Sequence, residues 1–265
     1  VIQARVSSTR LPGKVLLPLA GRTLLERQIE RIRAAKSPFE LCVATTTSSA
    51  DDSIRELCRR ASVPAFSGHP TDLLERHYLA GVEYRADAVV KIPSDCPLID
   101  PDAIDRVLGL FRDRGGALDF VTNLYPPTWP DGNDVEVMTM DALACAFENA
   151  ERTFEREHTT PFIWERPDRF RIANVPWETG LDLSKTHRFT VDHPEDFWFV
   201  SRVYRELHSE RQPVFSLSQI LELLRAKPEI AALNARFLGQ SWHMEHAAEL
   251  KHYPVQSAHV TWGAL

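Results

Sequence analysis

Val1-Ile2-Gln3-Ala4-Arg5-Val6-Ser7-Ser8-Thr9-Arg10-Leu11-Pro12-Gly13-Lys14 opens the chain. The apolar pair reads as the end of a strand whose beginning is expected ahead of Val1. The polar run then leads into a helix over 23–35, where Leu25, Ile29 and Ile32 fall four and three residues apart and share one face. A strand, a cationic loop and a helix in that order place the loop at the carboxyl end of a strand, where parallel sheets bind their ligands. Arg5, Arg10 and Lys14 offer paired and point-charge donors suited to phosphate oxygens, with the hydroxyls of Ser7 and Ser8 between them. The loop is neither a Walker A motif nor a dinucleotide fingerprint, since Lys14 is followed by Val15 and G-x-G-x-x-G is absent. A solvated basic loop is the plain alternative.

The same unit repeats outward from this start. Strands are expected at 41–46, 63–66, 87–92 and 118–122, with helices at 51–61, 71–84 and from Pro101 onward. Ala88-Val89-Val90 reads as a buried central strand. Asp100 can cap the helix that Pro101 begins and that Ile104, Val107, Leu108 and Phe111 line on one face. Strands alternating with helices of this length predict an α/β fold: a single three-layer domain with a mostly parallel, Rossmann-like sheet. After Asn123 the pattern changes. Tyr125-Pro126-Pro127-Thr128-Trp129-Pro130-Asp131-Gly132 can be neither helix nor inner strand, and so long a loop suits a site. Beyond it come a strand at 135–140, a helix capped by Asp141, a helix over 154–165, an extended piece at 170–175 and a short strand at 187–191. Helices follow from Pro194 and over 216–226, the latter capped by Ser216 or Ser218. This gives one domain over 1–226 in two parts, about 1–123 and about 124–226, with a small inserted subregion where the pattern changes. The extension 227–265 is less regular.

Composition narrows the partners. The chain has 265 residues, 31 Lys plus Arg against 37 Asp plus Glu, and a formal charge of −6, which speaks against a general nucleic-acid binder. Cys42, Cys58, Cys96 and Cys145 form no C-x-x-C pair, so a disulfide framework or structural zinc site is not expected, and a reducing, cytoplasmic setting is the simpler reading. No apolar run approaches the roughly 18 residues of a membrane span, and no signal peptide opens the chain. His69, His77, His187 and His193 lack zinc-site spacing. His243, His246 and His252 are expected at the surface.

Two carboxylates stand where strands end. Asp95, in Lys91-Ile92-Pro93-Ser94-Asp95-Cys96-Pro97-Leu98-Ile99-Asp100, leaves the buried strand at its carboxyl edge. Asp192, in His187-Arg188-Phe189-Thr190-Val191-Asp192-His193-Pro194-Glu195-Asp196, sits between an extended run and a helix. Such acids suit a hard dication that also takes phosphate oxygens, although a turn or cap role is the plainer alternative. Asp100 is expected to cap, and Glu195 and Asp196 to favour the helix dipole.

The opening loop resembles that of the cytidylyltransferases that activate acidic sugars, the CMP-ketodeoxyoctonate and CMP-sialate synthetases, and most closely their spore-coat polysaccharide SpsF-like branch. The resemblance implies that Gln3, Ala4, Arg5, Ser7, Ser8, Arg10, Lys14 and Ser94 bind the nucleotide CTP. It also implies that Asp95 and Asp192 hold a catalytic Mg²⁺, since their runs resemble R-I-T-G-D-C-P-L-I-D-P and W-T-V-D-T-P-E-D-L. Pro93-Ser94 departs from the family's Thr-Gly and removes a backbone donor. Asn133-Asp134-Val135-Glu136-Val137 resembles G-L-D-V-E-V beside the acceptor sugar. Glu155-Arg156-Glu157-His158-Thr159-Thr160-Pro161-Phe162-Ile163 resembles the S-E-R-E-H-V-T-P-Y-I run of the SpsF-like branch. Asn133, Asp134, Glu136, Arg156, Glu157 and His158 thereby become acceptor-binding candidates, with Asp134 and Glu136 on one strand face.

The implied reaction transfers CMP from CTP to an acidic or phosphorylated sugar and releases pyrophosphate, with Arg10, Lys14, Asp95 and Asp192 as catalytic groups. A homodimer is implied, with the tail beyond about residue 225 available for dimerisation. Two alternatives remain: a sugar transferase of similar α/β type, although Asp95-Cys96-Pro97 lacks its D-x-D, or a non-catalytic homologue that binds without turning over.

Overall fold

A computed structural model describes residues 1–240, 246 and 248–250. The first strand, β1 (Ile2–Gln3), is an inner strand of a seven-stranded sheet. A loop and a short 3-10 turn lead to a hairpin of β2 (Pro18–Leu19) and β3 (Arg22–Thr23). Ala20 and Gly21, both at positive φ, close this hairpin in the manner of tight two-residue turns. Helix α1 (Leu24–Arg33) starts at a capping box: the Thr23 hydroxyl accepts from Glu26 N, and the Glu26 carboxylate accepts from Thr23 N.

Then follow β4 (Val43–Thr46), α2 (Asp52–Arg60), β5 (Ala65–Gly68), α3 (Leu73–Glu83), β6 (Ala88–Pro93) and α4 (Pro101–Asp113). The second half contributes β7 (Phe120–Thr122), β8 (Glu136–Thr139), α5 (Met140–Asn149), α6 (Thr153–His158), α7 (Pro161–Trp164), β9 (Ile172–Asn174), α8 (Pro194–Leu207), α9 (Leu217–Ala226) and α10 (Pro228–Ala231).

The strand order is β5-β4-β1-β6-β8-β7-β9. The first four strands run parallel, β8 runs antiparallel to both its neighbours, and β7 pairs parallel with β9. The chain passes from β1 outward to β4 on one side and later to β6 on the other. The carboxyl ends of β1 and β6 therefore flank the point where the winding reverses.

Alternation along the strands separates two cores. Val90, Val121 and Val137 pack with the faces of α1, α2 and α4, whereas Val89, Phe120 and Met138 pack with α3, α5 and α7. That is the three-layer α/β domain expected from the sequence. A third cluster joins α8 and α9 to Leu98, Trp129, Phe189 and Val191, and it includes Ile230 of α10.

Several boundaries differ from expectation for identifiable reasons. The helix expected over 154–165 is two short helices, because Thr159 takes φ 73° and Pro161 starts afresh. Helix α5 is capped by Thr139 rather than Asp141: the Thr139 hydroxyl accepts from Ala142 N at 3.1 Å. Ser216, not Ser218, caps α9. Residues 187–191 are not a strand. Arg188 makes one isolated bridge with Asp131, and Val191 N donates to Asp95 O at 2.8 Å. Their apolar alternation comes from burial in the third cluster.

Candidate active site

Ala4 is buried directly after β1, and the loop that follows is tied back on itself. Ser8 N and Gly13 N both donate to Val6 O, at 2.9 and 2.8 Å. Gly13 takes φ +69°, the left-handed turn that sends Lys14 under the loop. Val6 N in turn donates to the buried Asp51 carboxylate at 2.8 Å, and Thr46 also donates to Asp51. The cationic loop is therefore held to the carboxyl end of β4 as well as to its own strand.

Lys14 is nearly buried, and its ammonium has three acceptors. Nζ lies 3.0 Å from Asp95 Oδ2, 3.0 Å from Asp192 Oδ1 and 2.6 Å from Val191 O. Burial alone would lower its pKa, but Asp95 and Asp192 together hold it above the ordinary lysine value. For Asp192 burial works upward, yet Lys14, then Arg10 and Arg188, bring its carboxyl down to about 2. Arg10 reaches Asp192 Oδ1 at 2.9 Å, and Arg188 reaches Asp192 Oδ2 at 2.9 Å. Two acids far apart in sequence thus share one cation at the carboxyl end of β6.

Around this point opens a cavity of about 960 Å³, large enough for a nucleotide and a second small molecule. Gln3, Ala4, Arg5, Ser8, Arg10, Lys14, Ser94, Asp95, Asp134, Glu136, Glu157, His158 and Asp192 all line it. Three other sequence candidates do not. Ser7 is exposed and does not line the cavity. Asn133 is buried in the scaffold, where its amide accepts from Asp100 N at 2.9 Å and donates to Pro130 O at 3.0 Å. Arg156 clamps α3 to α5: Nε meets Asp72 at 2.5 Å, and Nη1 donates to Phe147 O at 3.1 Å.

Asp100 does cap α4, with Asp102 N at 2.9 Å, and also receives Leu217 N. Asp196 does more than face a helix dipole. Its Oδ2 accepts from Asp192 N at 3.0 Å and His193 N at 2.9 Å. His246, expected at the surface, instead reaches the cavity wall and lies edge-on to His158 at 5.3 Å between ring centres. His243 and His252 lie outside the described residues.

Five wall residues carry charge that sequence reasoning left unassigned: Arg76, Lys91, Asp131, Lys185 and Arg188. Lys91 interrupts the apolar run Ala88-Val89-Val90-Lys91-Ile92, and a cation in such a run signals a buried partner, whereas the mixed run around Arg188 carries no such signal. Lys91 pairs with Glu136 across the β6–β8 ladder, and Glu136 also accepts from Thr160 Oγ1 at 2.6 Å. Arg188 gathers three carboxylates: Asp131 at 3.2 Å, Asp192 at 2.9 Å and Asp196 at 3.0 Å. Arg76, buried and near Arg5, is pushed down to about 10, first by its burial and then by that neighbour. Burial, then Asp95, lifts Asp134 to about 6. Burial, then Asp134, lifts Asp131 well above the usual carboxylate range.

Among the described residues no cluster of three or more His, Cys, Asp or Glu side chains is placed to hold a metal ion by itself. Asp95 and Asp192 nevertheless converge on a single cation, at present the Lys14 ammonium. Two hard oxygen ligands beside an open cavity fit a dication such as Mg²⁺ that keeps few protein ligands and takes the rest from phosphates and water.

Comparison with known proteins bears on the family and the fold. A family model described as cytidylyltransferase matches residues 1–233. The chain is 32% identical to a cytidylyltransferase from Leptospira borgpetersenii serovar Hardjo-bovis, whose solved structure superposes with a TM-score of 0.82 over 91% of this chain and 96% of that one. It is 33% identical over 243 residues to an uncharacterized protein of Methanocaldococcus jannaschii, covering 91% of this chain and 96% of the relative. It is 27% identical over 237 residues to the spore coat polysaccharide biosynthesis protein SpsF of Bacillus subtilis, covering 87% and 95%. The likeness to SpsF is therefore one of several of similar strength. Among the described residues no helix is long and apolar enough to cross a membrane. With its family matched over most of its length and its fold shared with a solved member, the chain belongs to the cytidylyltransferase family and is an enzyme of the nucleotidyltransferase type.

Proposed function

We propose that this enzyme transfers CMP from CTP to an acidic or phosphorylated sugar and releases pyrophosphate, in the synthesis of surface polysaccharide or glycan precursors. The observation that carries the reading is the convergence of Asp95 and Asp192 on one cation at the edge of the cavity, beside the loop that bears Arg5 and Arg10. An acceptor oxygen attacks the α-phosphorus in line. The new P–O bond forms as the bond to the β-phosphate breaks, and pyrophosphate departs. Arg5, Arg10 and Lys14 gather the charge that accumulates on the triphosphate oxygens. Asp95 and Asp192 are the residues that would hold Mg²⁺, which supplies Lewis-acid neutralisation of phosphate charge.

Residues 1–123 form the nucleotide half in this reading, and 124–226 the acceptor half, to which Asp134, Glu136, Glu157 and His158 belong. Glu136 does not repel an acidic acceptor, because Lys91 already balances its charge. Asp134, with its raised pKa, presents less negative charge near neutrality than an ordinary aspartate. The likeness to SpsF and the Glu155–Ile163 run support the SpsF-like branch. A cytoplasmic homodimer belongs to the same reading; the cysteines among the described residues are free thiols.

The test is pyrophosphate release from each of the four nucleoside triphosphates, with Mg²⁺ and a panel of acidic and phosphorylated sugars. CTP with at least one panel sugar should support turnover. Asp95→Asn should stay folded and lose about 100-fold or more of that rate. Unchanged turnover in this variant would defeat the assignment.

A further inference from the structure

Asp192 offers only one of its two oxygens to the cavity, and the other is held from behind. Oδ1 faces Lys14 and Arg10, whereas Oδ2 accepts from Arg188 Nη2 at 2.9 Å. Arg188 is itself fixed. Its Nε donates to Asp196 Oδ1 at 3.0 Å, and its Nη1 donates to Asp131 at 3.2 Å and to Gln240 O at 3.1 Å. Asp196, fully buried, closes the loop by accepting from Asp192 N and His193 N. Both the backbone and the carboxylate of Asp192 are therefore oriented through the Arg188–Asp196 pair.

The pair has a further support, one residue past the span that the family model matches. Asn234 is 2% exposed. Its Nδ2 donates to Arg188 O and to Asp196 Oδ1, both at 3.0 Å. Both amide protons are thereby spent on the pair, and neither reaches the cavity. A buried amide in this position resists rotation of the Asp196 carboxylate and fixes the Arg188 backbone at once.

We propose that Asn234 is a positioning residue: through Asp196 and Arg188 it fixes the single open oxygen of Asp192, and so sets how tightly the nucleotide-bound enzyme holds its divalent cation. The inference rests on the reading of Asp192 as a cation ligand. Partners one step removed from a metal ligand typically change metal affinity by about 10–100-fold when removed. Asn234 stands two steps away through Asp196, so the lower end of that range applies.

The experiment measures Mn²⁺ binding to the full chain in the presence of CTP, by the loss of the free-ion electron paramagnetic resonance signal. CTP affinity without metal is measured in parallel. Asn234→Ala should weaken Mn²⁺ binding by about 10-fold and leave metal-free CTP binding unchanged. Asn234→Ser, smaller but still polar, gives a second measurement if the alanine variant folds poorly, and should also weaken Mn²⁺.

Phe237→Leu serves as the control for the segment. Phe237 stacks on His193 at 3.8 Å between ring centres, and because its ring neither donates nor accepts a hydrogen bond, the substitution leaves every donor and acceptor of the relay in place. It should lower the melting temperature and leave Mn²⁺ affinity intact. Equal weakening by Phe237→Leu, or wild-type affinity in both Asn234 variants, overturns the relay. Asp192→Asn separates the two levels. If it keeps wild-type Mn²⁺ affinity, the cation-ligand reading fails and the relay with it; if it loses Mn²⁺ while the Asn234 variants do not, only the relay fails.

Discussion

Lys14→Met removes the ammonium that spans Asp95 and Asp192 and keeps most of the side chain's length. In wild type the cation stands 3.0 Å from an oxygen of each acid. At an effective dielectric of about 20, each contact is worth roughly 5 kcal/mol before desolvation is counted. Breaking a buried pair by removing one partner leaves a net loss of about 3–5 kcal/mol. Arg10 and Arg188 still face Asp192 in the variant, so the lower end, about 3 kcal/mol, is expected. For a chain of this size that corresponds to a fall in melting temperature of roughly 6–10 °C. Mg²⁺ should then do in the variant what Nζ does in wild type. Differential scanning fluorimetry without nucleotide should show several degrees recovered by millimolar MgCl₂ in Lys14→Met and little response in wild type. A variant as stable as wild type, or one indifferent to Mg²⁺, would refute the idea that the two acids form a shared cation site.

Further outcomes follow from the same geometry. The folded-state pKa of Asp192, about 2, lies below its unfolded value of about 3.9, so its stabilisation is present above pH 4 and is lost as pH falls towards 2. Asp192→Asn should flatten that part of the stability profile measured by urea titration. Asp134 has the opposite sign: its folded-state pKa of about 6 lies above the unfolded value, so its contribution is lost as pH rises from 4 to 6. Asp134→Asn should therefore raise the urea midpoint more at pH 7.5 than at pH 4. Gly132, at φ +101°, lies so close to the backbone at Phe189 and Thr190 that an added Cβ would sit 2.8 Å from it. Gly132→Ala should destabilise by about 2–3 kcal/mol or more, read by denaturant melts, and should disturb the Asp131–Arg188 contact.

The elements that position the site were largely legible where chain-local chemistry dictates structure. The spacing of Leu25, Ile29 and Ile32 marks α1, and Asp100-Pro101 marks the start of α4, because helical periodicity, caps and first-turn prolines act over a few residues. The strand-end placing of Asp95 follows from the buried run of β6. What escaped depends on pairing between distant segments. The sequence of β8 carries no sign of its direction, yet only an antiparallel β8 sets Glu136 opposite Lys91. Residues 187–191 alternate like a strand because Phe189 and Val191 are buried, although the neighbouring backbone forms no ladder. Asn133 and Arg156 matched motif positions, but the fold places neither on the cavity: Asn133 is buried against Asp100, and Arg156 pairs with Asp72. The work of Arg188 is invisible until Asp131, Asp192 and Asp196 are folded around it.

The contacts at Asp192 have a consequence for biosynthesis. Lys14, Asp95, Asp192 and Asn234 come from nearly the full span of the chain, and each needs a partner made much earlier or later. A ribosome delivers those partners in order, so the growing polypeptide cannot bring Lys14, Asp95 and Asp192 together until the segment that carries Asp192 has emerged. A chain that stops before Asp192 then lacks the shared cation site altogether, so its fragment is silent rather than a leaky catalyst.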